Sequence, residues 1–165
     1  MVKIIPGVSL KDEDFKGGAI TLTAFKPRLE YKWDAGIAIG QYLRGLKNGV
    51  LMGRRCKHCS RVLIPPRMFC EWCFKPTSDW VPLSDTGTIN TFSVCYITWN
   101  MVRLKEPQIP AVIEIDGASK GIGILHLVRG IDPYKVRIGM RVKAVWKPPQ
   151  ERQGAITDIQ YFKPI

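Results

Sequence analysis

The 165-residue sequence lacks any uncharged apolar run approaching the ~18–20 residues of a membrane span. It also lacks an apolar stretch near its start: Met1-Val2-Lys3-Ile4-Ile5-Pro6 leads quickly into Asp12-Glu13-Asp14, unlike a secretory signal. No internal repeat or low-complexity tract is visible, and the 15 Gly and 12 Pro show no collagen period. With 45% hydrophobic and 24% charged residues, wholesale disorder is excluded. The expectation is a soluble cytoplasmic protein with no membrane association, forming one domain or two small modules that share a core.

Acidic residues are scarce, 14 against 25 Lys and Arg, for a net charge of +11. The excess is uneven. Residues 41–80 hold eight basic and two acidic groups, whereas residues 1–40 hold six and five. Such a field attracts phosphates, as nucleic acid, a nucleotide-bearing cofactor or an acidic partner, but it equally fits a generic basic surface.

Cysteine is rare outside one arrangement. Four of the five form the pairs Cys56-Lys57-His58-Cys59 and Cys70-Glu71-Trp72-Cys73, with ten residues between the pairs. Two-residue knuckles of this kind can offer four thiolates to one tetrahedral ion. Cys56, Cys59, Cys70 and Cys73 are therefore the predicted ligands of a structural metal, since four protein ligands leave no open position. Zinc is the expected ion, and iron fits the same four-sulfur geometry. Knuckles often place Gly just after the second Cys, where φ is positive. Ser60 and Phe74 stand there instead, implying some backbone strain. His58 could replace a thiolate, but four sulfurs suffice. Cys95, in a strand-like run, reads as a small buried hydrophobe with no base linked to it.

The first 32 residues read as an arm, with a possible strand at Ala19–Phe25. Asp34 is a plausible N-cap for a helix over about 35–48, with Ile39, Leu43, Leu46 and Val50 on its apolar face. Gly36, Gly40 and Gly45 weaken that helix, or else admit a close neighbour. Short strands at Val50–Arg54 and Arg61–Ile64 would frame the knuckles. Pro65-Pro66-Arg67 would be rigid and extended, holding Arg67 in a fixed direction. From Trp80 the pattern turns to β, with strands at Gly87–Thr98, Ala111–Asp116, Gly121–Arg129, Met140–Lys147 and Ala155–Lys163. Turns fall at Glu106-Pro107, Asp116-Gly117, Gly130, Pro148-Pro149 and Gln153-Gly154. A helical turn at 132–136 lies between the third and fourth strands, the order of an oligonucleotide/oligosaccharide-binding (OB) barrel. The fold class is thus mainly β: an N-terminal arm and helix (1–49), a zinc ribbon (50–80) and a five-stranded OB barrel (81–165).

A helix ending in Gly45-Leu46-Lys47-Asn48-Gly49, then a two-pair ribbon, then an OB barrel, resembles a known family. It is similar to the acyl-CoA-associated OB-fold proteins with a rubredoxin-like zinc ribbon. The carrying residues are Arg55-Cys56 through Cys59, Pro65-Pro66-Arg67, Cys70 through Cys73, Trp80, Thr86-Gly87-Thr88 and Ile138-Gly139-Met140-Arg141-Val142. The match spans about 33–165. It implies a partner of thiolase-type enzymes (acetoacetyl-CoA thiolase, hydroxymethylglutaryl-CoA synthase or a thiolase-like aldolase) that scaffolds them and helps contain acyl-CoA. By charge and rigidity, Arg54, Arg55 and Arg67 are the candidate CoA- or partner-binding residues.

On this reading the protein is not an enzyme on its own. Glu114, Asp116 and His126 are the only plausible acid/base material, and a solvated strand face accounts for them more simply. A nucleic-acid-binding module is the alternative. Against it, Ala111–Asp116 and Gly121–Arg129 carry no aromatic side chain except His126 on which bases could stack.

Overall fold

The turn chemistry from Trp80 onward produces strands, but their edges are set by packing. The computed structural model describes residues 9, 11–18, 20 and 27–165, and the chain divides between Trp33 and Asp34 into two compact units. The first contains a short helix α1 (Asp12–Lys16), which the arm reading did not anticipate. Its start is held by the Asp14 carboxylate, which accepts the Lys11 N–H at 2.9 Å. The strand expected at Ala19–Phe25 lies outside the described residues, apart from Ile20.

The second unit opens with α2 (Gly36–Lys47), where Asp34 accepts the Gly36 N–H at 2.8 Å. The buried face is Ala38, Tyr42, Gly45 and Leu46, so of the expected row only Leu46 is fully buried. Ile39 and Val50 are exposed and Leu43 is half-buried. The reason is Gly45. A Cβ there would lie 2.7 Å from both the Val50 carbonyl and Met52 Cγ. The helix therefore seats its smallest residue against the following strand, and that contact fixes its rotation.

The ribbon is a three-stranded antiparallel sheet of order β2-β1-β3, with β1 Leu51–Cys56, β2 Val62–Leu63 and β3 Thr77–Leu83. Sequence patterning missed β3, which contains Pro82. Pro82 is tolerated because β3 is an edge strand. Ile64-Pro65 is a cis peptide.

The remaining strands are β4 Thr86–Phe92, β5 Cys95–Ile97, β6 Arg103–Ile115, β7 Gly123–Val128, β8 Arg141–Trp146 and β9 Ile159–Pro164. Their order β4-β8-β9-β7-β6, closed by β4–β6 pairing, makes the five-stranded barrel. Antiparallel pairing prevails except for parallel β7–β9. The expected 87–98 strand is two pieces, broken at Ser93-Val94. The second strand begins at Arg103 and runs through the expected Glu106-Pro107 turn. Pro107 is accommodated because the β5–β6 register is irregular between the Ile97–Arg103 and Cys95–Gln108 pairs. The helical turn appears as a 3-10 turn, Pro133–Lys135, capped by the Asp132 carboxylate, which accepts the Tyr134 N–H.

One core serves helix, ribbon base and barrel: Tyr42, Leu46, Leu51 and Ile64 belong to the same buried cluster as Ile89, Ile113, Val142 and Phe162. Ser119, in the turn after β6, adds polar fastening. It donates its N–H to the Val62 carbonyl at 3.0 Å, and its Oγ accepts the Val62 N–H at 2.9 Å. At 116, Asp116 accepts Arg141 Nη1 at 2.7 Å and the Thr86 hydroxyl, joining β4, β6 and β8. The Arg141 guanidinium, then the Thr86 hydroxyl, hold the Asp116 carboxyl down at about 2. A depressed carboxyl adds stability above its ordinary pKa that is lost as pH falls through the folded value. Thermal melts between pH 5 and pH 2 should therefore show an acid-side loss that Asp116→Asn reduces.

Candidate metal centre

Each knuckle is built alike. The Cys56 N–H donates to the Arg61 carbonyl at 2.8 Å and the Ser60 N–H to the Cys56 carbonyl at 2.9 Å. Cys70, Lys75 and Phe74 repeat the pattern at 2.9 Å each. These tight turns force Ser60 to φ 60° and Phe74 to φ 53°, the left-handed region in which a side chain costs about 1–2 kcal/mol. The strain implied by the missing glycines is present. Replacing both residues with Gly should raise Tm by about 2–4 °C, since each relief exceeds the extra unfolded-state entropy by only ~0.5 kcal/mol. Scanning calorimetry reads this directly.

The four sulfurs converge. Cys56 and Cys73 Sγ lie 3.5 Å apart, Cys59 and Cys70 3.5 Å, and Cys59 and Cys73 3.8 Å, with all four within 4.8 Å of one another. None is at disulfide distance. A tetrahedron with metal–sulfur arms of ~2.3 Å has edges of ~3.8 Å, so the set fits one ion. The backbone prepares charge there. The Cys59 N–H brings the Cys56 thiol down to about 7, and the Cys73 N–H lowers Cys70 likewise. Cys59 and Cys73 also accept backbone donors, from Arg61 and Lys75, but burial and hydrogen bonding to neighbouring sulfurs push them up. Four adjacent thiols cannot all ionise alone; a dication removes that conflict.

A latch that sequence reasoning missed joins the knuckles. Arg61 donates to Glu71 at 3.0 Å and stacks on the Trp72 ring at 3.9 Å. The signal for it was the acidic and aromatic pair inside the second knuckle. Around the latch Phe69, Trp72 and Phe74 point outward, with Trp72 72% and Phe74 78% exposed.

The three arginines fare differently. Arg54 is buried, giving Nη2 to the Thr77 carbonyl at 3.0 Å and Nη1 to Met68 Sδ at 3.2 Å beneath Trp80. Its charge serves the ribbon's interior. Arg55 is exposed on β1, and Arg67 is exposed with one ion pair, to Glu71 at 3.7 Å.

The acid/base residues do not assemble. Glu114 stands opposite Gly123 and His126 opposite Ala111, three residues or ~10 Å along the strands. Glu114 accepts from Asn90, Asp116 is held by Arg141, and the His126 imidazole takes the neighbouring Leu127 N–H. Cys95 is half-buried on β5. His58 lies outside the sulfur cluster.

Family comparison is consistent with this arrangement. Residues 44–78 match the ChsH2 rubredoxin-like zinc ribbon domain and residues 80–147 the ChsH2 C-terminal OB-fold domain. A DUF35 domain-containing scaffold protein of Methanocaldococcus jannaschii is 34% identical over 118 residues, covering 70% of this chain and 82% of the relative. A DUF35 domain-containing scaffold protein of Methanothermobacter thermautotrophicus is 26% identical over 117 residues, covering 69% and 86%. Among solved structures, a DUF35-family protein of unknown function from Sulfolobus solfataricus aligns with TM-score 0.53 at 25% identity, over 64% of this chain and 75% of that one. The Ltp2-ChsH2(DUF35) aldolase aligns with TM-score 0.57 at 22% identity, over 83% and 98%. Among the described residues, no helix is long and apolar enough to cross a membrane.

Proposed function

The chain belongs to the DUF35 family, and from that footing we propose that it is a non-catalytic scaffolding subunit of a thiolase-type enzyme that helps hold the acyl-CoA. The partner would be an acetoacetyl-CoA thiolase, a hydroxymethylglutaryl-CoA synthase or a thiolase-like aldolase, working in a reducing cytoplasm. One observation carries the reading: the ribbon presents exposed Phe69, Trp72 and Phe74 with exposed Arg67 at the second knuckle and Arg55 exposed on β1, while among the described residues Glu114, Asp116 and His126 do not converge on a reacting position. Exposed aromatics and arginines on a stiff base are what interface anchors require.

Zinc held by Cys56, Cys59, Cys70 and Cys73 would supply rigidity, its four positions being filled by sulfur. The knuckle turns, the Arg61–Glu71 pair and the shared core then hold the exposed side chains in one direction. Arg55 and Arg67 have guanidinium forks suited to the phosphates of CoA. The nucleic-acid alternative is not favoured, because β6 and β7 contain no Phe, Tyr or Trp on which bases could stack.

Native purification tests the proposal. A thiolase-type enzyme should co-elute in fixed stoichiometry, and Arg55→Glu with Arg67→Glu should weaken CoA binding to that complex about tenfold or more by calorimetry. Recovery of ribosomes alone, or CoA affinity untouched by both charge reversals, would overturn it.

A further inference from the structure

The most exposed large apolar side chain of the second unit lies not on the ribbon but at the tip of the β5–β6 hairpin. Trp99 is 96% and Met101 87% exposed, flanked by exposed Ile97 and Val102. Soluble surfaces rarely gather such residues without a use. The tip is also built to a fixed shape. The Thr98 N–H donates to the Val102 carbonyl at 2.9 Å, the Met101 N–H to the Thr98 carbonyl at 3.0 Å, and the Thr98 hydroxyl accepts the Val102 N–H at 3.1 Å. Met101 is held at φ 64°, a costly conformation for a side chain that packs on nothing here. Thr98 thus keeps two large apolar groups aimed outward, with much of their ordering cost met before any contact.

Charge near the tip is mainly positive, with Asp132 acting on Tyr96 and exposed Glu106 following Lys105 as the nearby acids. From residue 86 to residue 105 there is no acidic side chain, and Arg103 and Lys105 are exposed at the hairpin's base. We propose that Trp99 and Met101 are a second anchor of this protein, inserting into an apolar cavity with an acidic rim on its enzyme partner. The inference rests on the scaffolding role above and adds to it a docking site separate from the metal knuckles. A protein cavity is the occupant that fits both the scaffolding role and a fixed two-residue projection with a defined shape. Trp and Met are enriched at interface cores, and a pocketed Trp is a typical hot spot.

The test uses the intact chain and the purified thiolase-type enzyme that co-elutes with it, with Kd measured by biolayer interferometry. Trp99→Asp with Met101→Ala should leave Tm unchanged and weaken binding about 100-fold or more. Arg103→Glu with Lys105→Glu should slow association severalfold, more so at low salt. Hydrogen exchange on the unaltered complex should show new protection over 96–103, a readout that does not depend on how the variants fold. Unchanged affinity of the tip variant, or no protection, overturns this inference alone. Absence of any complex with the unaltered chain overturns the scaffolding role and this inference with it. If the tip variant binds the enzyme normally but no longer binds phosphatidylserine vesicles, or no longer self-associates in sedimentation, the occupant is a membrane or a second copy and the proposal fails.

Discussion

Cys56→Ser is expected to drop bound metal from about one equivalent to less than half, and to lower Tm by about 6 °C or more. Elemental analysis and calorimetry give both numbers, and the analysis also separates zinc from iron. The size follows from what the ion replaces. Structural zinc contributes about 10–16 kcal/mol in isolated finger peptides, and ribbons have little core of their own. Here part of that loss is cushioned, because Leu51 and Ile64 at the ribbon base are buried with the barrel residues. A residual penalty above ~3 kcal/mol corresponds to roughly 6–12 °C or more for a chain of this size. Chelation of the unaltered protein should open the knuckles while the barrel persists. Circular dichroism would then retain its β signature as hydrogen exchange rises over 56–74. A fully cooperative collapse on chelation would show the barrel to be as metal-dependent as the ribbon.

Gly87→Ala should be as damaging, for a reason remote from the metal. Gly87 sits in β4 between Ile115 of β6 and Val142 of β8, on the strand that closes the barrel. An added Cβ would lie 2.3 Å from the Glu114 carbonyl oxygen and 2.8 Å from Ile113 Cγ2. The first obstacle is backbone in the middle of a ladder, so the strand itself has to move. Separating β4 from β6 exposes Ile89 and Ile113, both fully buried, and each such side chain is worth about 1.5–3 kcal/mol. A loss of ~3 kcal/mol or more is expected in denaturant titration, with bound metal unchanged. Metal content thus distinguishes this variant from Cys56→Ser. Gly123, whose added Cβ would lie 2.3 Å from the Ile113 carbonyl, makes a second such position on the other side of β6.

Features governed by neighbours in sequence were legible before any coordinates. Cysteine spacing gave the sulfur cluster, the residues after each pair gave the positive φ at Ser60 and Phe74, and strand order with the turn at 133–135 gave the barrel. Features governed by distant packing were not. The rotation of α2 depends on how closely Gly45 meets the Val50 carbonyl, which the apolar spacing of Ile39 and Leu43 does not encode. β3 escaped notice because an edge strand tolerates Pro82 and an exposed Asp79. Arg54 looked like a surface cation; only the fold supplies the Thr77 carbonyl and the Trp80 ring that let it be buried. The hairpin tip was hidden because Cys95–Thr98 alternates like ordinary strand, and nothing local says that Trp99 meets no core.

The reciprocal hydrogen bonds between Ser119 and Val62 have a bearing on how such chains diversify. They make the inclination of the sulfur-bearing prong depend on the short 116–122 turn between two barrel strands, where the chain is exposed or half-buried. Adding or deleting a residue in that turn would re-aim the prong while sparing the cysteines and the fully buried barrel residues, with only Ala118 and Ile122 to be re-seated against the core. A lineage could thus fit catalysts of different girth by editing one hinge, much as a calliper is reset at its pivot.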